Sequence, residues 1–200
     1  MKFKAWFKSK TADKALSPIR NMVIDLIDPG SNLLEVGCGT GDLLYRASDK
    51  ISKGLGVDLD QAMVDFANTR KERDKTQNIS FINENITTSD ILAGNIFDVS
   101  TSTLCLHEMG EKEAISTLIA MSQHSSKIII SDFCKPNTFW GKVSIELDEF
   151  ISGHYGMFKN YQKRGGVPYL SELAGIEIIS ETKSPIDGIN VWVLRGNNYA

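Results

Sequence analysis

Apolar residues recur along the 200-residue chain in two alternating rhythms. Compact apolar runs at 32–36, 53–57, 79–83, 97–106 and 127–133 have strand length and are predicted strands. The intervening segments Leu43–Lys50, Gln61–Lys75 and Lys112–Gln123 read as helices, whereas 83–96 carries no clear pattern. Another helix is predicted before the first strand. Ser17-Pro18 has the form of an N-cap and first helical residue, Ile19, Val23 and Leu26 keep helical spacing, and Pro29-Gly30 stops it. Strands alternating with helices predict a parallel sheet with right-handed crossovers.

The pattern changes towards the end. Runs at 176–181 (IEIISE) and 189–194 (INVWVL) flank Asp187-Gly188, with no room for a helix, so this last pair is predicted to be antiparallel. Before it, residues 137–174 concentrate Phe139, Trp140, Phe150, His154, Tyr155, Phe158, Tyr161 and Tyr169. This insert reads as two or three short helices broken by Gly153, Gly156 and Gly165-Gly166.

Length and composition then narrow the class. Two hundred residues with 42% apolar and 24% charged content describe one globular domain with a sizeable core. A net charge of −3 gives no global attraction to nucleic acid, and none is expected as a partner. Cys38, Cys105 and Cys134 lack metal or redox spacing, and no segment has the form of a signal peptide or membrane span, so a cytoplasmic location is expected. Residues 1–20 are locally basic, and MKFKAWFKSK interleaves lysines with Phe3, Trp6 and Phe7. Residues 1–17 read as an active-site lid or a tail, with weak membrane-surface contact through 1–10 as an option.

The candidate chemistry centres on LLEVGCGTGDLL at 33–44. Glycines at 37, 39 and 41 follow a predicted strand and open a helix, where they permit positive φ and close approach of a ligand to the backbone. The spacing is G-x-G-x-G, without the last glycine of the dinucleotide fingerprint, and Glu35 two residues upstream would repel a pyrophosphate. A ligand carrying both a carboxylate and an ammonium suits an acid beside a helix N-terminus. Asp58 ends the second predicted strand 23 residues after Glu35, where a carboxylate can accept both hydroxyls of a ribose. Asp60 is placed as the N-cap of the next helix.

Together with GVDLDQAMVDFAN at 56–68, FINENI at 81–86, FDVSTSTLCLHEM at 97–109 and IIISDFCKP at 128–136, this arrangement resembles the class I S-adenosylmethionine-dependent methyltransferases over residues 18–195. The resemblance implies an α/β fold: a Rossmann-like, doubly wound sheet, mostly parallel, with an antiparallel C-terminal strand and a helical insert after strand five. It implies S-adenosylmethionine as cofactor. Glu35, Gly37, Cys38, Gly39 and Gly41 would form its methionine end, Asp58 would hold the ribose, and Leu59, Met63, Asn85 and Ile86 would surround the adenine. Leu106 and His107 would end the fourth strand beside the methyl group.

The acceptor is less defined. No N-P-P-Y-like motif and no Pro-Cys dipeptide occurs, and a small-molecule acceptor, methylated at O, N or C, fits best. His107, His154 and Tyr155 are the catalytic candidates, with 137–174 covering the acceptor. Glu108 adjoins His107, but neighbours in a strand point to opposite faces, so no metal site is expected. A non-catalytic S-adenosylmethionine-binding protein and an NAD-linked oxidoreductase stand as alternatives.

Overall fold

The structure, a computed structural model, describes residues 12–136, 138 and 155–197. Its seven strands are β1 (Asn32–Val36), β2 (Lys53–Asp58), β3 (Ile79–Asn83), β4 (Phe97–Thr103), β5 (Ser125–Phe133), β6 (Ile178–Lys183) and β7 (Ile189–Arg195). They form one sheet in the order β3-β2-β1-β4-β5-β7-β6. Strands β1 to β5 are parallel, and β7 runs antiparallel between β5 and β6. The predicted architecture is therefore present, and β1 and β4 flank its topological switch point.

Among the described residues the helices are α1 (Ala12–Ala15), α2 (Ser17–Asp25), α3 (Asp42–Ala47), α4 (Gln61–Asp74), α5 (Glu111–His124), α6 (Tyr155–Arg164) and α7 (Gly166–Ala174). Both faces of the central strands are covered, which is why β5 and β7 carry apolar runs; β4 differs, burying Ser100, Thr101 and Ser102 instead. Leu33, Val99, Ile129 and Val191 pack with Val23, Ile27, Leu43, Leu44 and Val64 on one side. Leu34, Val36, Ile128, Ile130 and Trp192 pack with Leu118, Met121, Val167 and Leu170 on the other.

Several boundaries differ from expectation. Ser17 lies inside α2 rather than capping it, because α1 leads directly into it through Leu16. Strand β4 ends at Thr103, not 106: Leu104 has φ 51°, which breaks the strand, and Leu106–Glu108 forms a 3-10 turn. Leu106 and His107 are therefore turn residues. In the insert, Gly156 lies within α6 and does not break it, whereas Gly165-Gly166, both at positive φ, separate α6 from α7. The predicted roles of residues 1–10 and His154 fall outside the described residues, as does most of the insert before α6.

Candidate functional site

The glycine loop is fixed from three sides. The N–H groups of Gly37 and Cys38 both donate to Val57 O, tying the loop to the end of β2. Gly37 sits at φ 72°, and a Cβ there would lie 2.2 Å from Cys105 Sγ. Gly41, at φ 74°, opens α3, and a Cβ there would fall 2.5 Å from the Phe81 ring. These two glycines are required by backbone conformation and by contact at once.

Asp58, at the end of β2, accepts the Gly39 N–H through Oδ2 at 2.7 Å and the Asp60 N–H through Oδ1 at 2.8 Å. Each oxygen retains a lone pair, so two ribose hydroxyls can still be accepted. Asp60 caps α4, its Oδ1 accepting the Ala62 N–H at 2.9 Å. Leu59 beside it is 60% exposed, an apolar surface open to a planar ligand, whereas Met63 and Ile86 are buried. Asn85 is half-buried, and its Oδ1 already accepts from the Thr87 N–H and hydroxyl. Its amide NH2 is thus the group better placed to meet a ligand than its carbonyl. Cys38 packs inwards with the core beneath the loop, and burial pushes its thiol well above the ordinary range.

Glu35 is buried beneath the loop, and its Oε2 has no hydrogen-bond partner. Burial raises its carboxyl to about 8; Arg20 opposes the shift, Asp42 and Asp58 add to it, and the Leu44 amide opposes it weakly. An orphaned buried acid, a loop that admits close approach and an exposed Leu59 beside Asp58 fit a ligand that brings positive charge, a ribose and a flat base.

Sequence reasoning missed the polar support of this loop. The Thr40 hydroxyl donates to Asp13 Oδ2 at 2.6 Å, and Arg20 pairs with Asp13 Oδ1 at 2.9 Å and Asp42 Oδ2 at 3.2 Å. All four residues are buried. Only the chain's return across the sheet brings them together, so local pattern carries no sign of it.

Across the switch point, the turn after β4 sits against the loop, because Cys105 fills the space that Gly37 leaves. Beyond it a small cleft of about 120 Å3, partly open to solvent, is lined by Leu106, Met109, Ala114, Tyr161 and Leu170. Glu111 and Arg164 pair at its rim, and the Tyr169 hydroxyl bonds to both. Tyr161 carries a buried hydroxyl without a hydrogen-bond partner. Its ionisation is pushed well up by burial and then by Asp132; the Val167 amide pulls the other way but lies outside hydrogen-bond geometry.

His107 is buried in the turn, its Nδ1 2.6 Å from Asp132 Oδ1. Asp132 too was missed; an acid inside the apolar run IIISDF was the available signal. His107 and Glu108 do not diverge as strand neighbours would, since Nε2 and Oε1 lie 3.9 Å apart. Among the described residues, however, no three His, Cys, Asp or Glu side chains gather to hold a metal ion. Tyr155 opens α6; its side chain, like His154, lies outside the described residues.

Residues 27–169 match the family model of a methyltransferase domain. Over 52 residues the chain is 38% identical to nocamycin O-methyltransferase of Saccharothrix syringae, covering 24% of this chain and 19% of that protein. The chain thus aligns with about a fifth of that curated relative's length. An O-methyltransferase family protein from Burkholderia thailandensis superposes with a TM-score of 0.70 at 15% identity, over 96% of this chain and 59% of that one. Magnesium protoporphyrin IX methyltransferase from Synechocystis PCC 6803, solved with bound SAH, superposes with a TM-score of 0.64 at 18% identity, over 92% of this chain and 83% of that one. At such identities the likeness is one of fold.

Proposed function

The chain belongs to the methyltransferase-domain family, and from that premise we propose that it moves a methyl group from S-adenosylmethionine to an O, N or C atom of a small molecule seated in the cleft beside Leu106. The observation that carries this reading is the contact between Gly37 of the glycine loop and Cys105 in the turn after β4, whose next residue, Leu106, lines the cleft. Bound there, the cofactor supplies an electrophilic methyl group on a sulfonium.

The chain's residues do the rest. Glu35 and the loop would hold the methionine end, Asp58 the ribose, and Leu59, Met63, Asn85 and Ile86 the adenine. Leu106, Met109, Tyr161 and Leu170 offer the acceptor an apolar wall that excludes water and aligns it for in-line attack. His107, with His154 and Tyr155, remains the candidate set for taking the acceptor's proton. A partly enclosed, mostly apolar cleft on a chain of net charge −3 favours a small molecule over nucleic acid. Among the described residues no helix is long and apolar enough to cross a membrane.

The test uses S-adenosylmethionine labelled in its methyl group, incubated with the full chain and a fractionated extract of its host. Label should enter the small-molecule fraction. Leu170→Trp, which fills the cleft, should abolish that transfer while S-adenosylhomocysteine still binds. Label in protein or nucleic acid instead would overturn the acceptor class.

A further inference from the structure

Helix α6 brings Met157, Asn160, Tyr161 and Arg164 to the cleft, spaced three and four residues apart so that one face of the helix carries them all. Among the residues lining the cleft, only Glu111 and Arg164 carry charge. Arg164 Nη1 donates to both Glu111 Oε2 and the Tyr169 hydroxyl, and that hydroxyl, 3.1 Å from each, donates in turn to Glu111 Oε2. Glu111 opens α5 and Tyr169 lies in α7, so the guanidinium is held from two helices besides its own. Its hydrogen bond to Tyr169 and then the charge of Glu111 push its ionisation up, and it stays cationic. This network uses a single nitrogen of the five-donor group. Nε and Nη2 have no partner among the described residues, and together they form the fork that matches the two oxygens of a carboxylate. Asn160, exposed and one turn away on the same face, adds a side-chain amide that can donate to the same ligand.

On the reading that this cleft takes the acceptor, we propose that Arg164 is a specificity-determining residue and that the acceptor carries a carboxylate, bound side-on by Nε and Nη2. Glu111 and Tyr169 are then positioning residues, which occupy Nη1 and so fix the plane of the guanidinium. An amine is disfavoured at the same place. Glu111 Oε2 already accepts from Arg164 and Tyr169, and an ammonium reaching the other oxygen would stand beside the guanidinium. A phosphate is disfavoured in turn, because its second charge meets the like charge of Glu111. One planar, singly charged group suits the rim. It belongs on the short apolar body that about 120 Å3 between Leu106, Met109, Met157 and Leu170 admits. The carboxylate is an anchor and not the methylated group. Its in-plane lone pairs are committed to N–H donors, so the methyl group goes to another O, N or C atom of the molecule.

Methyl-labelled S-adenosylmethionine, incubated with the full chain and a fractionated extract of its host, yields the product that tests this. The labelled product should bind an anion exchanger at neutral pH and lose that binding once carbodiimide coupling turns its carboxylate into an amide. Its label should survive alkali, which releases methanol from a methyl ester. The identified acceptor and its amide are then compared, with kcat and KM taken separately. On the wild-type chain the amide should have a KM about 10–100-fold higher at similar kcat, the scale of a lost charge-assisted pair. Arg164→Met should raise the KM of the acid by a like factor and leave that of the amide within about twofold, so the acid loses its advantage. Arg164→Lys should recover only part of it, since an ammonium keeps the charge without the fork. S-adenosylhomocysteine affinity within about twofold of wild type shows that the variants fold, and the charge of the product decides even where one does not. An acid that keeps its advantage over its amide in Arg164→Met overturns the proposal, as does a neutral, cationic or alkali-labile product, and each leaves the proposed function standing. No labelled small molecule at all overturns the proposed function and this proposal with it.

Discussion

At Glu35, burial and the neighbouring acids Asp42 and Asp58 hold a proton that Arg20 would release. With the carboxyl at about 8 in the free chain against 4.5 ordinarily, folding binds a proton between those values. Its stabilising effect is therefore full below the ordinary carboxylate range and is lost as pH rises through about 8. A cationic ligand beside the carboxylate favours the charged form and reverses the shift. Binding of S-adenosylmethionine near pH 7 should consequently release up to one proton. Titration calorimetry in buffers of different ionisation heat reads that number directly, and Glu35→Gln should release none. The melting temperature of Glu35→Gln should also decline less than wild type between pH 6 and 9. An equal decline in both proteins would mean that Glu35 does not carry the proton.

Among the elements, the strands were legible and their ends less so. The run at 32–36 matched because burial on both faces leaves an apolar signature, and 79–83, at the sheet edge, matched by alternation, with Ile79 and Phe81 buried and Ser80 exposed. The end of β4 was misplaced because Leu104 enters a positive-φ conformation that its apolar side chain does nothing to announce. The site divides in the same way. Glu35, the three glycines and Asp58 could be read because their placement depends on one strand–loop–helix spacing. Asp132, Asp13 and Arg20 could not, because their meaning lies in partners such as His107 and Thr40, 25 and 27 residues away in the chain. The buried clamp between α1, α2 and the loop gives the element-scale prediction. Among the described residues, Arg20→Met strips Asp13 of its ion pair and leaves Asp42 with Arg46 and Arg70, so it should destabilise the chain by about 3–5 kcal/mol in denaturant unfolding. Adding Asp13→Asn should recover part of that loss, since the uncompensated buried charge is then removed. A cost below about 1 kcal/mol for Arg20→Met would show that solvent already reaches the clamp.

For the whole molecule, folding and the proposed ligand site share the carboxyl ends of β1, β2 and β4, so the two need to be separated by measurement. Two aspartates two residues apart allow that. Asp58 joins the end of β2 to the loop through the Gly39 N–H and is the proposed ribose acceptor, whereas the side chain of Asp60 caps α4. S-adenosylhomocysteine at a hundred times its Kd should stabilise the wild-type chain by about 2.7 kcal/mol. For a chain of this size that corresponds to a rise in Tm of about 5–11 °C. Asp60→Ala should lower the Tm of the free chain through a loss of about 1 kcal/mol in helix capping. It should leave the ligand-induced rise unchanged, because the Asp60 backbone N–H that meets Asp58 survives the substitution. Asp58→Ala should weaken binding by about 1.5–3 kcal/mol, the scale of lost charge-assisted hydrogen bonds. At the same ligand concentration most of the rise in Tm should then vanish, beyond any change in the free chain. If Asp60→Ala removes the ligand-induced rise and Asp58→Ala preserves it, the ribose is held by the helix cap and the site lies one turn away from the end of β2.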